Sequence, residues 1–174
     1  AVTVTGQDNT ADDDIDVSLA AGTVTGIVGG TITLTGVEDL TVNANDTDTA
    51  DAIDVTGLGG ATSISRVTIN GNNNATDTLT ISGTSGNDTL NYLPTGTMAG
   101  DFTADGMTTL VDYAGFGGVL TADGVSGDDV LHILGGAGAN DVDSASATSV
   151  TLLDTVTFAN MDRLDISTFG GCLL

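Results

Sequence analysis

Residues 51–55, DAIDV, place an aspartate two positions ahead of an apolar-x-apolar pair, and this phrase recurs along the chain. Five copies carry the prediction: Asp13/Ile15/Val17, Asp51/Ile53/Val55, Asp77/Leu79/Ile81, Asp88/Leu90/Tyr92 and Asp129/Leu131/Ile133. Apolar residues that alternate with polar ones have the period of a half-buried β-strand. Repetition of one short strand with a carboxylate in the turn before it predicts a stacked repeat scaffold.

A second phrase, apolar-x-x-apolar-x-apolar, also recurs. Its copies are Val37/Leu40/Val42, Ile64/Val67/Ile69, Met161/Leu164/Ile166 and a degraded Phe116/Val119/Thr121. Predicted strand centres follow one another at intervals of roughly 8 to 13 residues, which fits a parallel solenoid or an antiparallel sandwich. Because the same phrases return in one chain direction, we predict an all-β fold, a parallel β-solenoid (β-helix) of short stacked strands, with a β-sandwich as the alternative.

The composition excludes long helices. Of the 24 acidic residues only Glu38 is a glutamate, the only basic residues are Arg66 and Arg163, and lysine is absent. Helices use Glu, Lys and Arg because these side chains lose little rotamer freedom there, whereas Asp competes for its own backbone and favours turns. With 25 glycines and many Thr, Val and Ile residues, the chain has the composition of short strands and tight turns.

A formal net charge of −22 limits the partners that this chain can have. Nucleic acid and anionic membranes are poor partners, while divalent cations or high salt would screen the repulsion within a compact fold. No apolar run approaches the roughly 18 residues of a membrane span, and no charged-then-apolar leader opens the chain. We expect an extracellular or cell-surface location and a piece of a longer or processed protein.

The repeat rhythm divides the chain into two predicted sub-arrays. Residues 1–93 and 107–174 carry the repeated phrases, whereas residues 94–106, with Pro94, Met98 and Phe102, break the rhythm and predict an irregular loop or a join. Both ends of the chain have strand-like sequence without a polar cap. Open strand edges pair with other strands, so we expect self-association or contact with neighbouring repeats of a longer chain.

Three stretches carry a recognisable glycine and aspartate pattern: GTSGNDTLN at 83–91, GVSGDDVLH at 124–132 and GGAGANDVD at 135–143. They resemble the RTX-type (haemolysin-type) calcium-binding nonapeptide, G-G-x-G-x-D-x-U-x, in which U is a large aliphatic residue. The first two stretches match at the first glycine (Gly83, Gly124), the later glycine, the aspartate and the aliphatic position. The third has Asn140 where the aspartate belongs.

This resemblance implies a calcium ion held between adjacent turns, because glycine turns expose carbonyls and calcium collects six or more oxygens. The predicted metal-binding residues are Gly86, Asn87, Asp88, Gly127, Asp128, Asp129, Asn140 and Asp141. The alternative is that Asp and Asn in these turns bond their own backbone as Asx-turns and start the next strand.

The two arginines and the histidine have structural interpretations. Arg66 and Arg163 occupy the same slot in two copies of the second phrase, where the first copy has Asp39, so we expect surface charge pairs rather than catalysis. His132 alternates with Leu131 and Ile133 and should face away from the core. Paired aspartates occur in so many turns that none is singled out as an acid and base pair.

These features predict a structural or interaction module of a surface protein, such as an adhesin stalk, a surface-layer component or a filament subunit, stabilised by Ca²⁺. We expect no enzymatic activity, and we expect surface glycans as a further class of partner. An ice-binding solenoid is one alternative, suggested by Thr-x-Thr pairs, and it requires these pairs in register on successive turns. A carbohydrate-active enzyme is the other, and it requires a cleft with carboxylates outside the repeat.

Overall fold

The computed structural model of the chain describes residues 1–6, 13–27, 30–44, 50–74, 76–135, 144–153 and 155–167. These residues form β-strands and turns, and no helix occurs among them. The strands are β1 (Val2–Thr5), β2 (Asp14–Ser18), β3 (Thr23–Ile27), β4 (Gly30–Thr33), β5 (Asp39–Asn43), β6 (Ala52–Thr56), β7 (Arg66–Asn74), β8 (Thr78–Ser82), β9 (Thr89–Gly96), β10 (Ala99–Ala104), β11 (Leu110–Phe116), β12 (Leu120–Asp123), β13 (Val130–Leu134), β14 (Ser144–Ala145), β15 (Ser149–Thr151), β16 (Thr155–Ala159) and β17 (Arg163–Ser167).

The strands form two open, mixed sheets. Sheet A has the order β1-β5-β7-β11-β10-β9-β13-β17, and sheet B has the order β14-β15-β16-β12-β8-β6-β2-β3-β4. From β5 to β9 the chain passes alternately between the sheets, and the strands that meet within each sheet are parallel neighbours. The prediction of an all-β fold is confirmed, and two open sheets around one core fit the sandwich alternative.

Three antiparallel meanders interrupt the parallel pairing that the solenoid prediction required throughout. Strands β2–β3–β4 and β14–β15–β16 extend the two ends of sheet B, and β9–β10–β11 widens the middle of sheet A. Tight turns make these reversals, with left-handed residues such as Gly22 (φ 62°) and Met98 (φ 60°). Turns with positive φ join antiparallel neighbours, whereas parallel neighbours need a longer crossover.

In-register ladders of apolar side chains fill the space between the sheets. In sheet B, Ile15, Ile53, Leu79, Leu120 and Val156 form one such column. Eight apolar residues of the two repeated phrases are fully buried: Ile53, Val55, Val67, Ile69, Leu79, Ile81, Leu131 and Ile133. Parallel pairing in register brings equivalent side chains of successive phrases into contact, so the phrase is also the unit of core packing.

The degraded phrase at Phe116, Val119 and Thr121 was misread. Strand β12 directs Leu120 and Ala122 into the core, whereas Val119 is 52% exposed. A shift of one residue moves every side chain of a strand to the opposite face. Gly118 occupies the position that Asp77 holds before β8, and a Cβ there would collide with the Asp77 carbonyl oxygen, so the phrase has lost its aspartate for steric reasons.

Residues 94–106, predicted as an irregular loop or a join, contain the end of β9, the turn after it and all of β10, with a register shift between Ala99 and Gly100. Pro94 lies near the end of β9, and β10 pairs antiparallel with both β9 and β11. These strands carry aromatic packing: the rings of Tyr92 and Phe102 stack with centroids 4.8 Å apart, and the Tyr113 ring follows at 6.3 Å from Phe102. The extra strands of sheet A therefore bring the aromatic part of the core with them.

Candidate metal centre

A column of buried aspartates links successive turns at the point where three strands of sheet B begin. Asp13, Asp51 and Asp77 precede β2, β6 and β8, and their exposed fractions are 5%, 1% and 0%. The backbone N–H of Asp13 donates to Oδ1 of Asp51 at 3.0 Å, and the N–H of Asp51 donates to Oδ1 of Asp77 at 2.9 Å. We call this column the Asp13 ladder, and it satisfies buried N–H groups at the start of each strand.

A second column, the Asp88 ladder, lies before β9, β13 and β17. The N–H of Asp88 donates to Oδ1 of Asp129 at 2.8 Å, and the N–H of Asp129 donates to Oδ2 of Asp162 at 3.0 Å. The Asp129 carbonyl oxygen in turn accepts N–H bonds from Asp162 at 2.9 Å and from Arg163 at 3.1 Å. Each turn is thus bonded to the next through both side chain and backbone.

The two turns that resemble the calcium nonapeptide stack directly on each other. The N–H of Asp128 donates to the side-chain oxygen of Asn87 at 3.0 Å, and a Cβ on Gly127 would collide with the carbonyl oxygen of Gly86. The structure thus brings together the predicted residues Gly86, Asn87, Asp88, Gly127, Asp128 and Asp129. The other two, Asn140 and Asp141, lie outside the described residues.

The carboxylates of Asp88 and Asp129 have different surroundings. Oδ2 of Asp88 accepts bonds from the backbone N–H of Thr84 at 2.6 Å and from its hydroxyl at 2.8 Å. Oδ2 of Asp129 is buried and has no hydrogen-bond partner among the described residues. Asx-turn bonding, the alternative to a metal site, occurs where Asp123 Oδ1 accepts the N–H of Val125 at 2.9 Å.

A separate acidic cluster lies on the outer face of sheet B. Carboxylate oxygens of Asp14, Asp16 and Asp54 lie within 4.8 Å of one another. Asp14 and Asp16 are exposed, Asp54 is half-buried, and Thr25 donates its hydroxyl proton to Asp16 Oδ2 at 3.2 Å. The cluster arises because Asp16 on β2 and Asp54 on β6 are register partners. Solvent can screen these three charges, so the cluster does not require an ion.

The predicted charge pairs are present on the outer face of sheet A. Arg66 contacts Asp112 with an N–O distance of 2.6 Å, and Arg163 contacts Asp165 at 2.8 Å. The hydrogen bond and negative charge of Asp112 raise the pKa of Arg66. Exposed pairs of this kind contribute little to stability.

Asp101 faces Asp112 directly across the β10–β11 pair. Burial raises the pKa of Asp101, the negative charge of Asp112 raises it further, and Arg66 acts in the opposite direction.

His132 occupies the outer face of β13, as predicted. It alternates with the buried Leu131 and Ile133, and its Nε2 lies 2.8 Å from the hydroxyl oxygen of Ser167.

Among the described sheets, two Thr-x-Thr runs meet where Thr23 on β3 is the antiparallel register partner of Thr33 on β4. Thr3 and Thr5 align with Thr41 and Asn43, while Thr78 lies beside Ala52. The register that an ice-binding face requires is not found in the columns of Thr3 and Thr78.

Two surface cavities bear on the enzyme alternative. A depression of about 520 Å³ is lined by residues of the β2–β3 turn, the segment after β4 and the segment before β7, and the lining carries no titratable side chain. A smaller cavity of about 180 Å³ lies beside Met98, Tyr113 and Phe116, and no carboxylate lines it. Neither cavity therefore provides the pair of carboxylates that glycoside cleavage uses.

Comparisons with protein-family models, with curated proteins and with solved structures found no match to this chain. No helical segment with the length and hydrophobicity of a membrane span occurs in the described part of the chain.

Sequence reasoning missed two residues that belong to this region: Asp162 and Asn160. Asp162 begins a sixth copy of the aspartate phrase, Asp162/Leu164/Ile166, which the pattern itself could have found. Asn160 Nδ2 donates to Asp123 Oδ1 at 2.8 Å, which joins the turn before β17 to the turn before β13. Nothing in the local sequence announces that contact, because 37 positions separate the two residues.

Asp51→Ala tests whether the ladder aspartates stabilise the fold. The substitution leaves the buried N–H of Asp13 without its carboxylate acceptor, and we expect a loss of roughly 1–3 kcal/mol in the free energy of unfolding. The control is Asp54→Ala, a substitution on the outer face of β6 in sheet B. We expect its free energy of unfolding to lie within about 0.5 kcal/mol of that of the parent chain. Urea unfolding measures both. Equal losses in the two variants would contradict a role for the ladder.

Asp101→Asn tests the pH dependence of the outer face of sheet A. Because folding raises the pKa of Asp101 above its ordinary value of 3.8, the folded chain holds this proton to higher pH than the unfolded chain does. Ionisation of Asp101 therefore lowers the free energy of unfolding as pH rises through that window. We expect Asp101→Asn to raise the urea midpoint at pH 7, with a gain that disappears below pH 3.8.

The control for this prediction is Asp128→Asn, which removes one charge from an exposed position. General relief of repulsion would raise the urea midpoint of both variants equally. An equal gain at pH 7 would show that the local environment of Asp101 has no effect of its own.

Proposed function

We propose that this chain is a structural module of an extracellular or cell-surface protein, built as a coil of stacked strands and stabilised by divalent cations. The observation that carries the proposal is the pair of aspartate ladders, in which each turn is bonded to the next along one axis. These hydrogen bonds repeat the same contact from one turn to the next, which is typical of a stalk or a filament subunit. They do not form a unique cleft.

The path of the chain supports a solenoid interpretation of the two sheets. Strands β5, β6, β7, β8 and β9 alternate between sheets A and B, and the parallel pairs β5–β7 and β6–β8 follow in the same direction. One circuit of the chain is thus one strand from each sheet. On this interpretation, the three meanders are insertions that keep the two sheets of similar width, with eight strands in one and nine in the other.

The charge distribution supports a need for cations. The chain has a formal net charge of −22. The two arginines are paired with Asp112 and Asp165, so most carboxylates have no basic partner. Calcium, the ion implied by the nonapeptide resemblance, prefers carboxylate and carbonyl oxygens. A ligand that binds only the folded chain raises its stability by mass action.

The edges of sheet A support self-association as the mode of interaction. Strands β1 and β17 are its edge strands in the described structure, and both run in the same direction as the parallel strands between them. At the β17 edge, the inward-facing Leu164 and Ile166 are only half-buried. A strand from another copy, or from a neighbouring repeat, would pair at these edges and cover that part of the core.

Thr3→Lys tests association through the edge of sheet A. Thr3 is exposed on β1, and a lysine on an edge strand opposes pairing with another strand. We expect the weight-average mass of the parent chain, measured by analytical ultracentrifugation, to rise with sodium chloride concentration because salt screens repulsion between acidic molecules. The Thr3→Lys variant should remain monomeric over the same series.

The matched control is Thr68→Lys, because Thr68 stands in the same outward column of sheet A but on the interior strand β7. Both variants add one positive charge, so a general charge effect would change their masses equally. Association of Thr3→Lys at the level of the parent chain would refute the edge contact. A parent chain that stays monomeric at every salt and calcium concentration would refute self-association altogether.

A further inference from the structure

The side chain of Asp129 has an unsatisfied oxygen in the interior of the protein. Asp129 is 0% exposed, and its Oδ1 accepts the N–H of Asp88 at 2.8 Å. Its Oδ2 has no hydrogen-bond partner among the described residues. A buried polar atom without a partner costs about 1–3 kcal/mol, and a charged one costs more. Binding of a further group to Oδ2 of Asp129 would therefore lower this cost.

The equivalent turn at 83–88 shows how the same problem is solved within the chain. There, Thr84 follows the first glycine and donates both its N–H and its hydroxyl proton to Oδ2 of Asp88. In the 124–129 turn the equivalent residue is Val125, which has no hydroxyl, and its N–H donates to Asp123 instead. The first turn is thus complete by itself, and the second lacks two donors.

Val125 also has an unfavourable backbone conformation. Its φ is 70°, in the left-handed region, and its side chain is 45% exposed. A β-branched residue in this region is strained, and such strain is concentrated at functional sites. The N–H of Val125 donates to Asp123 Oδ1 and is therefore not available to Oδ2 of Asp129.

Two oxygens converge beside Gly124. A Cβ on Gly124 would lie 2.6 Å from Asp129 Oδ2 and would collide with the carbonyl oxygen of Asn160. Any residue other than glycine would therefore fill the space between a carboxylate oxygen and a carbonyl oxygen. These are the ligand types that calcium prefers, and water completes its coordination shell where protein oxygens are too few. Residues 125–128 of the same turn are exposed.

We infer that one divalent cation of the calcium class binds where the 124–129 turn meets Asn160, with Asp129 Oδ2 and the Asn160 carbonyl oxygen as protein ligands. This inference rests on the proposed cation-stabilised scaffold and assigns the cation to a single turn. The 83–88 turn needs no ion, because Thr84 supplies donors where the ion would act. The site therefore opens toward the turn before β17 and is not shared between the two nonapeptide-like turns.

Asp129→Asn provides the direct test. The variant keeps an oxygen for the Asp88 N–H and places an amide N–H₂ where Oδ2 stood, which removes the charge and supplies donors. Calcium chloride is titrated into the parent chain and the variant by calorimetry in molar sodium chloride, and melting temperatures are recorded with calcium and with chelator. We expect the variant to bind calcium at least about tenfold more weakly and to lose the calcium-dependent rise in melting temperature.

Asp39→Asn is the matched control, since it removes the same charge from an exposed residue on β5, outside both nonapeptide-like turns, and leaves Oδ2 of Asp129 unchanged. It should retain the calcium affinity and the melting response of the parent chain. Equal weakening in both variants would overturn the site and indicate general charge screening. Magnesium chloride serves as the comparison ion, and an equal response to both ions would overturn the assignment to the calcium class.

Val125→Thr provides a second variant that does not depend on the folding of Asp129→Asn. It changes an exposed side chain and restores the hydroxyl that Thr84 has in the equivalent turn. We expect at least about tenfold weaker calcium binding without loss of stability in chelator. Parent-like affinity in Val125→Thr or in a folded Asp129→Asn would overturn the site.

Failure of the site and failure of the scaffold proposal give different results. If the parent chain binds calcium and both variants bind it equally, the cation lies elsewhere and the cation-stabilised scaffold stands. If the parent chain neither binds calcium nor melts at a higher temperature with it, the site and the cation-stabilised scaffold both fail. An Asp129→Asn variant that is more stable than a calcium-insensitive parent would show that the buried carboxylate holds no cation, and it would overturn the site.

Discussion

The hydrogen bond from the backbone N–H of one aspartate to the carboxylate of the next is the interaction on which the stack depends. A strand satisfies its own N–H groups through the sheet, but the residue before the strand lies at a buried turn. Asp13, Asp51, Asp88 and Asp129 all donate this N–H to an aspartate of the following turn. The apolar ladders bury side chains, and the aspartate ladders make that burial compatible with a polar backbone.

This constraint accounts for aspartate at the six described ladder positions: Asp13, Asp51, Asp77, Asp88, Asp129 and Asp162. Neighbouring strands are about 4.8 Å apart, and the short side chain of Asp reaches an N–H at that distance with few rotatable bonds to immobilise. Glu would lose more rotamer freedom for the same contact, which accords with the presence of Glu38 alone among the acidic residues. The ladders thus favour aspartate in turn after turn, and the resulting charge favours salt or cations around the protein.

The repeated phrases predicted the strands and their inward-facing residues, such as Ile53, Leu79 and Leu131. This was possible because the alternation of apolar and polar residues along one strand is visible in the local sequence. The meanders were not predicted from the sequence. The strand beside which a meander strand pairs is set by the rest of the sheet, and the local sequence does not show that neighbour. The β12 register was misread because Gly118 replaces the aspartate that marks the other copies. The difference between Asp88 and Asp129 depends on the backbone angle of Val125 and on Asn160, a residue distant in sequence.

The most direct test of the ladders is amide hydrogen exchange of the folded chain, followed by NMR. If aspartate carboxylates bond successive turns, the backbone amides of Asp13, Asp51, Asp88 and Asp129 should exchange as slowly as those of the core strands and open only with the whole stack. Exposed Ser85 in the neighbouring turn provides the reference for rapid exchange. Exchange of the four aspartate amides at the rate of Ser85 would contradict the account.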